Sequence, residues 1–175
     1  MDVQLRETGN GGDLVYMTRD LKTIYGFQNM AYLGMFGGNE EQSTPFKRLD
    51  TEQGFDWYGN SFFGSDPNTF FNSETERALN NTPLTSQGRQ IIIDAVKSDL
   101  QFMKDFSTVQ VAVEIVATNV VVIGVKILQP DSLLDKNYLF MWDALKKELD
   151  LSETVQNIQK RFGFDYTLNF QFEDI

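Results

Sequence analysis

A chain of 175 residues with a formal net charge of −10 is long enough for one domain with a substantial core. It contains no histidine and no cysteine. That excludes disulfides, thiolate nucleophiles, Cys-ligated zinc and the side chain most used for proton transfer near neutral pH, and it fits folding in a reducing cytoplasm.

No basic cluster longer than Lys146-Lys147 or Lys160-Arg161 occurs, so little can displace counterions from a phosphate backbone and nucleic acid is not an expected partner. No apolar run reaches about 18 residues, and Met1-Asp2-Val3-Gln4 lacks the basic and apolar regions of a signal peptide. Neither membrane insertion nor export is expected. The acidic surface suits docking onto a basic neighbour.

In chain order, Val3 to Arg6 and Leu14 to Thr18 read as short strands around the turn-rich Thr8-Gly9-Asn10-Gly11-Gly12, predicting a hairpin. Met30, Leu33 and either Tyr32 or Phe36 recur near helical spacing, and Gly37-Gly38 supplies a stop. Residues 39–81 show little periodicity and many Gly, Asn, Ser and aromatic residues, which predicts a long irregular region with a binding role.

Within that region, Gly54-Phe55-Asp56-Trp57-Tyr58-Gly59-Asn60-Ser61-Phe62-Phe63-Gly64 sets five aromatic side chains among three glycines. Glycine admits backbone conformations closed to other residues, so the stretch reads as an irregular loop pinned by large apolar anchors. Such anchors serve either a local core beneath the loop or a protein interface.

Thr85 or Ser86 can cap a helix in which Ile92, Ala95, Val96, Leu100 and Met103 form one apolar stripe, ending near Phe106. Val109 to Val116 and Val120 to Leu128 are rich in β-branched residues and read as adjacent strands. With Ala117-Thr118-Asn119 as a three-residue loop, Val109, Val111, Val113 and Ile115 oppose Ile127, Val125, Ile123 and Val121. Gln110 then meets Lys126, and Ala112 meets Gly124. Asn119 falls where left-handed geometry is common. Helix and hairpin together predict a two-layer α+β core with a small mixed or antiparallel sheet.

After Pro130, Leu139, Trp142, Leu145 and Leu149 suggest a short helix, and Ser152 can cap another through Val155, Ile158 and Phe162. Phe162, Phe164, Tyr166, Leu168, Phe170 and Phe172 then alternate with Gly163, Asp165, Thr167, Asn169 and Gln171, a strand with one apolar face. It either returns to this chain's own sheet or adds to a neighbour's. The expected organisation is a core over residues 1–129 and a C-terminal extension over residues 130–175.

Gly54-x-x-Trp57-Tyr58-Gly59-Asn60 resembles the Gly-Trp-Trp-Gly-Asp signature of a small baseplate protein of Mu-like contractile-tailed phages, related to the wider baseplate wedge and sheath-initiator family. Gly11-Gly12-Asp13-Leu14-Val15 is similar to that family's early turn and strand. The order of the apolar segment 26–36, Arg77-Ala78-Leu79, the helix start at Thr85-Ser86, the long helix and the strand pair also follows it. Tyr58 and Asn60 stand where the signature has Trp and Asp, residues 65–76 exceed the family spacing, and Asn81-Thr82-Pro83-Leu84 replaces the wider family's Glu-Pro-Arg. The resemblance spans residues 9–129.

The resemblance implies a virion structural protein of the tail baseplate, assembled in the host cytoplasm, present in multiple copies per tail, with other wedge proteins and the tail sheath protein as partners. Phe55, Trp57, Tyr58, Asn60, Phe62 and Phe63 are the candidate interface residues of the loop, and Phe164, Tyr166, Leu168, Phe170 and Phe172 those of the C-terminal strand. Members of the wider family have been labelled lysozyme-like, and a glycosidase needs two carboxylates at a defined separation in contrasting environments. Asp66, Glu74 and Glu76 beside the aromatic loop read as solvated surface instead. Gly9-x-Gly11-Gly12 lacks the spacing and the following helix of a dinucleotide fingerprint. No catalytic, cofactor or metal residue is expected, and the alternative function is a small soluble adaptor or regulator binding one protein partner.

Overall fold

The structure, a computed structural model, describes residues 2–7, 12–24, 27–37, 73–128, 136–145, 148–152 and 170–175. Among these, residues 2–24 form the short strands β1 (Asp2–Val3), β2 (Leu5–Glu7), β3 (Gly12–Leu14), β4 (Tyr16–Met17), β5 (Asp20–Leu21) and β6 (Thr23–Ile24). They pair antiparallel as β1 with β6, β2 with β3 and β4 with β5. The expected hairpin of Val3–Arg6 with Leu14–Thr18 forms only in part: β2 pairs with β3, Leu5 opposite Leu14, whereas Val3 pairs with Thr23 and Tyr16 and Met17 pair with Leu21 and Asp20.

The three ladders meet at one point. Gln4 N–H donates to Lys22 O at 2.8 Å, Lys22 N–H to Val15 O at 2.8 Å and Val15 N–H to Gln4 O at 3.1 Å. This ring satisfies the main-chain groups where each strand changes partner. Helix α1 (Gln28–Phe36) holds the junction through buried Asn29. Its Nδ2 donates to Asp2 Oδ2 at 2.9 Å and to Val3 O at 2.6 Å, and its Oδ1 accepts from Leu5 N–H at 3.2 Å. Gly37 ends α1 as expected, its N–H returning to Leu33 O.

Residues 73–81, expected within the irregular stretch, form a helix instead, α2 (Glu74–Asn81). Ser73 caps it by accepting from Glu76 N–H at 3.1 Å, and Glu74 and Glu76 complement the positive end of the helix dipole. Helix α3 (Ser86–Asp99) starts at Thr85, whose hydroxyl accepts from Gly88 N–H at 3.1 Å. A Cβ at Gly88 would stand 1.9 Å from Pro83 O, so the turn entering α3 closes only on a glycine. The predicted stripe is buried, and a 3₁₀ turn over Gln101–Asp105 carries Met103 into the core.

The remaining described strands are β7 (Thr108–Ala117), β8 (Val120–Leu128), β9 (Lys136–Asp143), β10 (Glu148–Ser152) and β11 (Glu173–Asp174), in the antiparallel order β10-β9-β8-β7-β11. The β7–β8 register is the one the alternation predicts, from Val109 opposite Ile127 to Ile115 opposite Val121. The loop differs. Ala117 pairs with Val120 beyond an irregularity after Ile115, leaving Thr118-Asn119 as the turn. Thr18, at φ 30°, is the one non-glycine with positive φ among the described residues, so Asn119 is not left-handed. Asn119 acts through hydrogen bonds: its Nδ2 donates to Asp143 Oδ1 at 2.9 Å, and its carbonyl accepts from Ala144 N–H at 2.8 Å.

The short helix expected across Leu139, Trp142, Leu145 and Leu149 is likewise absent; these residues lie on β9, a turn and β10. Tyr138, Phe140 and Trp142 extend the apolar layer of β7 and β8, while Leu139 and Met141 bury on the opposite face. A strand buried on both faces reads as a continuous apolar run whose members also satisfy a helical spacing. Leu145, counted in that spacing, is 81% exposed.

The architecture is thus α+β, as expected. Helices α1, α2 and α3 cover one face of the sheet over a core of Ile92, Val96, Leu100, Val111, Ile123 and Phe140. A smaller cluster of Val120, Val122, Leu139 and Met141 lies on the other face, with Phe170 packed against it. Residues before and after position 129 both contribute strands to the one sheet.

Candidate interface at the sheet edge

The outer edge of β7 and the C-terminal segment meet at the side of the sheet away from β10. Glu173 and Asp174 pair with Val111 and Gln110, and Ile175 N–H donates to Val109 O at 3.2 Å. Side chains reinforce this short ladder: Lys97 Nζ lies 2.8 Å from Glu173 Oε2, and Gln110 Nε2 donates to Asp174 Oδ1 at 2.9 Å. Just upstream, the Phe170 and Phe172 rings stand 5.6 Å apart. A Cβ on Gly124 would lie 3.3 Å from Phe172 Cζ and 3.5 Å from Phe170 Cδ1, so the bare backbone of β8 provides their seat.

Further along β7 the edge changes character. No described strand pairs with it beyond Val111, and Arg89 of α3 donates from Nη1 to Val113 O at 2.9 Å. A guanidinium on an outer carbonyl both satisfies that acceptor and puts a charge where another strand would pair. At the opposite side of the sheet, β2 runs beside β10 and Leu5 packs against the core.

Of the candidate interface residues, Phe170 and Phe172 fall within the described structure and lie against this chain's own sheet. Phe55, Trp57, Tyr58, Asn60, Phe62, Phe63, Phe164, Tyr166 and Leu168 lie outside the described residues. Helix α2 is fastened by the Asp99 carboxylate, which accepts from Glu74 N–H at 3.0 Å and Thr75 N–H at 2.7 Å, while the Ser73 hydroxyl donates to Met35 O. Burial pushes the Asp99 carboxyl up to about 7, against the lowering effect of its hydrogen bonds to Thr75 and Glu74. Because two backbone amides engage this carboxylate, its perturbation belongs to a helix junction.

Sequence reasoning missed one exposed feature. Tyr16 and Met17, 76% and 56% exposed, project from the β4–β5 hairpin with Leu14 nearby in sequence at 44%. The signal was the apolar run Leu14-Val15-Tyr16-Met17, too rich for a strand with one solvated face. Among the described residues no group of three or more acidic, His or Cys side chains could hold a metal ion. None of the described helices is long and apolar enough to cross a membrane. No protein-family model, no curated protein and no solved structure matches this chain.

Proposed function

We propose that this chain is a structural, non-catalytic component of a phage contractile-tail baseplate, of the wedge or sheath-initiator type, joining the inner baseplate to the first ring of sheath subunits. The observation that carries the reading beyond the sequence resemblance is the β7 edge, whose ladder with β11 stops at Val111. A strand from a sheath subunit would continue that ladder by main-chain hydrogen bonds, with Arg89 swinging off Val113 O to admit it. The aromatic stretch 54–64 would anchor the protein against larger wedge subunits, and repeated copies around a tail would add avidity to modest contacts.

Mixing the purified chain with wedge and sheath proteins and measuring solution mass tests this. A complex with the sheath protein that is lost when Val113 is replaced by proline is the expected result: Val113 turns its main-chain groups to the outer edge, as Val109 does where its carbonyl meets Ile175, and proline removes that outward N–H. Stability of that variant by itself is measured in parallel. A chain that stays alone with every tail protein, yet binds one unrelated protein, would replace the baseplate reading with that of a soluble adaptor.

A further inference from the structure

The C-terminal hexapeptide Phe170-Gln171-Phe172-Glu173-Asp174-Ile175 sits in a socket built by the rest of the chain. Gly124 leaves the space under Phe170 and Phe172, Val109 to Val111 supply main-chain partners, Lys97 and Gln110 meet the two acids, and Ile175 packs against the main core. The socket therefore selects an extended peptide with two aromatic residues two apart, then two acids and an apolar residue. Nothing in these contacts depends on the peptide belonging to the same molecule.

We propose that the socket is also an intermolecular docking site, in which residues 170–175 of one copy seat on the β7 edge of a second copy, so that chains exchange their C-terminal segments. A second copy is the occupant because its tail matches the socket residue for residue in charge and spacing. The polar part of the hold in cis is slight: the ladder has two residue pairs, and the Lys97 and Glu173 side chains are 27% and 43% exposed, a setting in which ion pairs contribute little. Reciprocal exchange keeps every contact made in cis, so mass action drives it as concentration rises. The net charge of −10 opposes the approach of two copies at low salt, and added salt screens that repulsion.

The lack of cysteine makes a direct test possible. Gln110→Cys and Asp174→Cys place thiols at opposed positions of the β7–β11 ladder, within the spacing a disulfide spans. The double variant, equilibrated at rising concentration before mild oxidation, should give covalent dimers on a non-reducing gel in a share that grows with concentration and exceeds that of either single variant. Disulfide-closed monomer alone at every concentration would overturn exchange. A second measurement uses full-length chains with surface changes only. Lys97→Glu and Glu173→Lys each set like charges together in cis, and their opposite charges meet only across copies. Mixing the two should raise the dimer fraction at least several-fold over either alone in sedimentation, and an unchanged monomer population in the mixture would count against the proposal.

Discussion

The sheet and the N-terminal three-ladder unit are both antiparallel β-structure, yet they are stabilised in different ways. In the sheet, β7, β8 and β9 run eight to ten residues and bury side chains on both faces. In the N-terminal unit the ladders are two or three residue pairs long, and Leu14, Tyr16 and Met17 remain exposed. Hydrogen bonding is available to both, so the difference lies in apolar area removed from water. The sheet is stabilised by its own apolar layers, whereas the N-terminal unit relies on main-chain hydrogen bonds, on Leu5 against the core and on Asn29 of α1.

Replacing a residue at the centre of the sheet should have the largest effect. Phe140→Ala empties a fully buried site facing the helices and should lower stability by about 3–5 kcal/mol in urea denaturation. A loss below about 1 kcal/mol would mean the sheet does not carry the fold.

The next effect depends on pH and is centred on the helical layer over the sheet. With the Asp99 carboxyl at about 7 in the folded chain and near 3.9 when unfolded, the folded state binds the proton more tightly. Its contribution is therefore fully present below about pH 4 and is lost as pH rises through 7. Between pH 5 and pH 8 the wild type should lose on the order of 2–3 kcal/mol that an Asp99→Asn variant does not, read from paired urea midpoints. Parallel pH profiles for the two proteins would show that the amide donors of α2 outweigh burial.

Asn29→Ala sharpens the contrast from the other side. It removes three hydrogen bonds that join α1 to residues 2–5 and should cost about 2 kcal/mol. Amide exchange should speed up at residues 3–24 and stay slow in β7 and β8. Uniform acceleration through both regions would mean that the two are a single unit.

Tyr16→Ser should change stability by less than about 0.5 kcal/mol, because the ring is mostly in water already. A larger loss would show that the hairpin packs on part of the chain outside the described residues.

Legibility followed the same division. In residues 109–127 one register sets Val109, Val111, Val113 and Ile115 opposite Ile127, Val125, Ile123 and Val121 on one face, so β7 and β8 could be paired residue by residue. The stripe of α3 was equally plain, and of the two caps the sequence offered, Thr85 and Ser86, the helix uses Thr85. Strand β9 was not, because side chains buried on both faces erase the period that separates strand from helix. Helix α2 was hidden by the polar, Gly- and Asn-rich sequence before it, although Ser73-Glu74-Thr75-Glu76 has the form of a capping box. For the candidate interface, the alternation through Phe170 and Phe172 announced a C-terminal strand. The described ladder forms one step later, at Glu173 and Asp174, because Gly124 draws the two aromatic rings onto the face of the sheet before the chain reaches its edge.

The ring of hydrogen bonds joining Gln4, Val15 and Lys22 makes the N-terminal unit all-or-none. Two-stranded ladders of two or three rungs are marginal individually. Here, however, each corner residue donates to one neighbour and accepts from the other, so no arm can slip or fray past its corner without opening the other two. Three weak ladders become one cooperative element, and the amides of Gln4, Val15 and Lys22 should exchange with solvent at a common rate set by the opening of the whole ring.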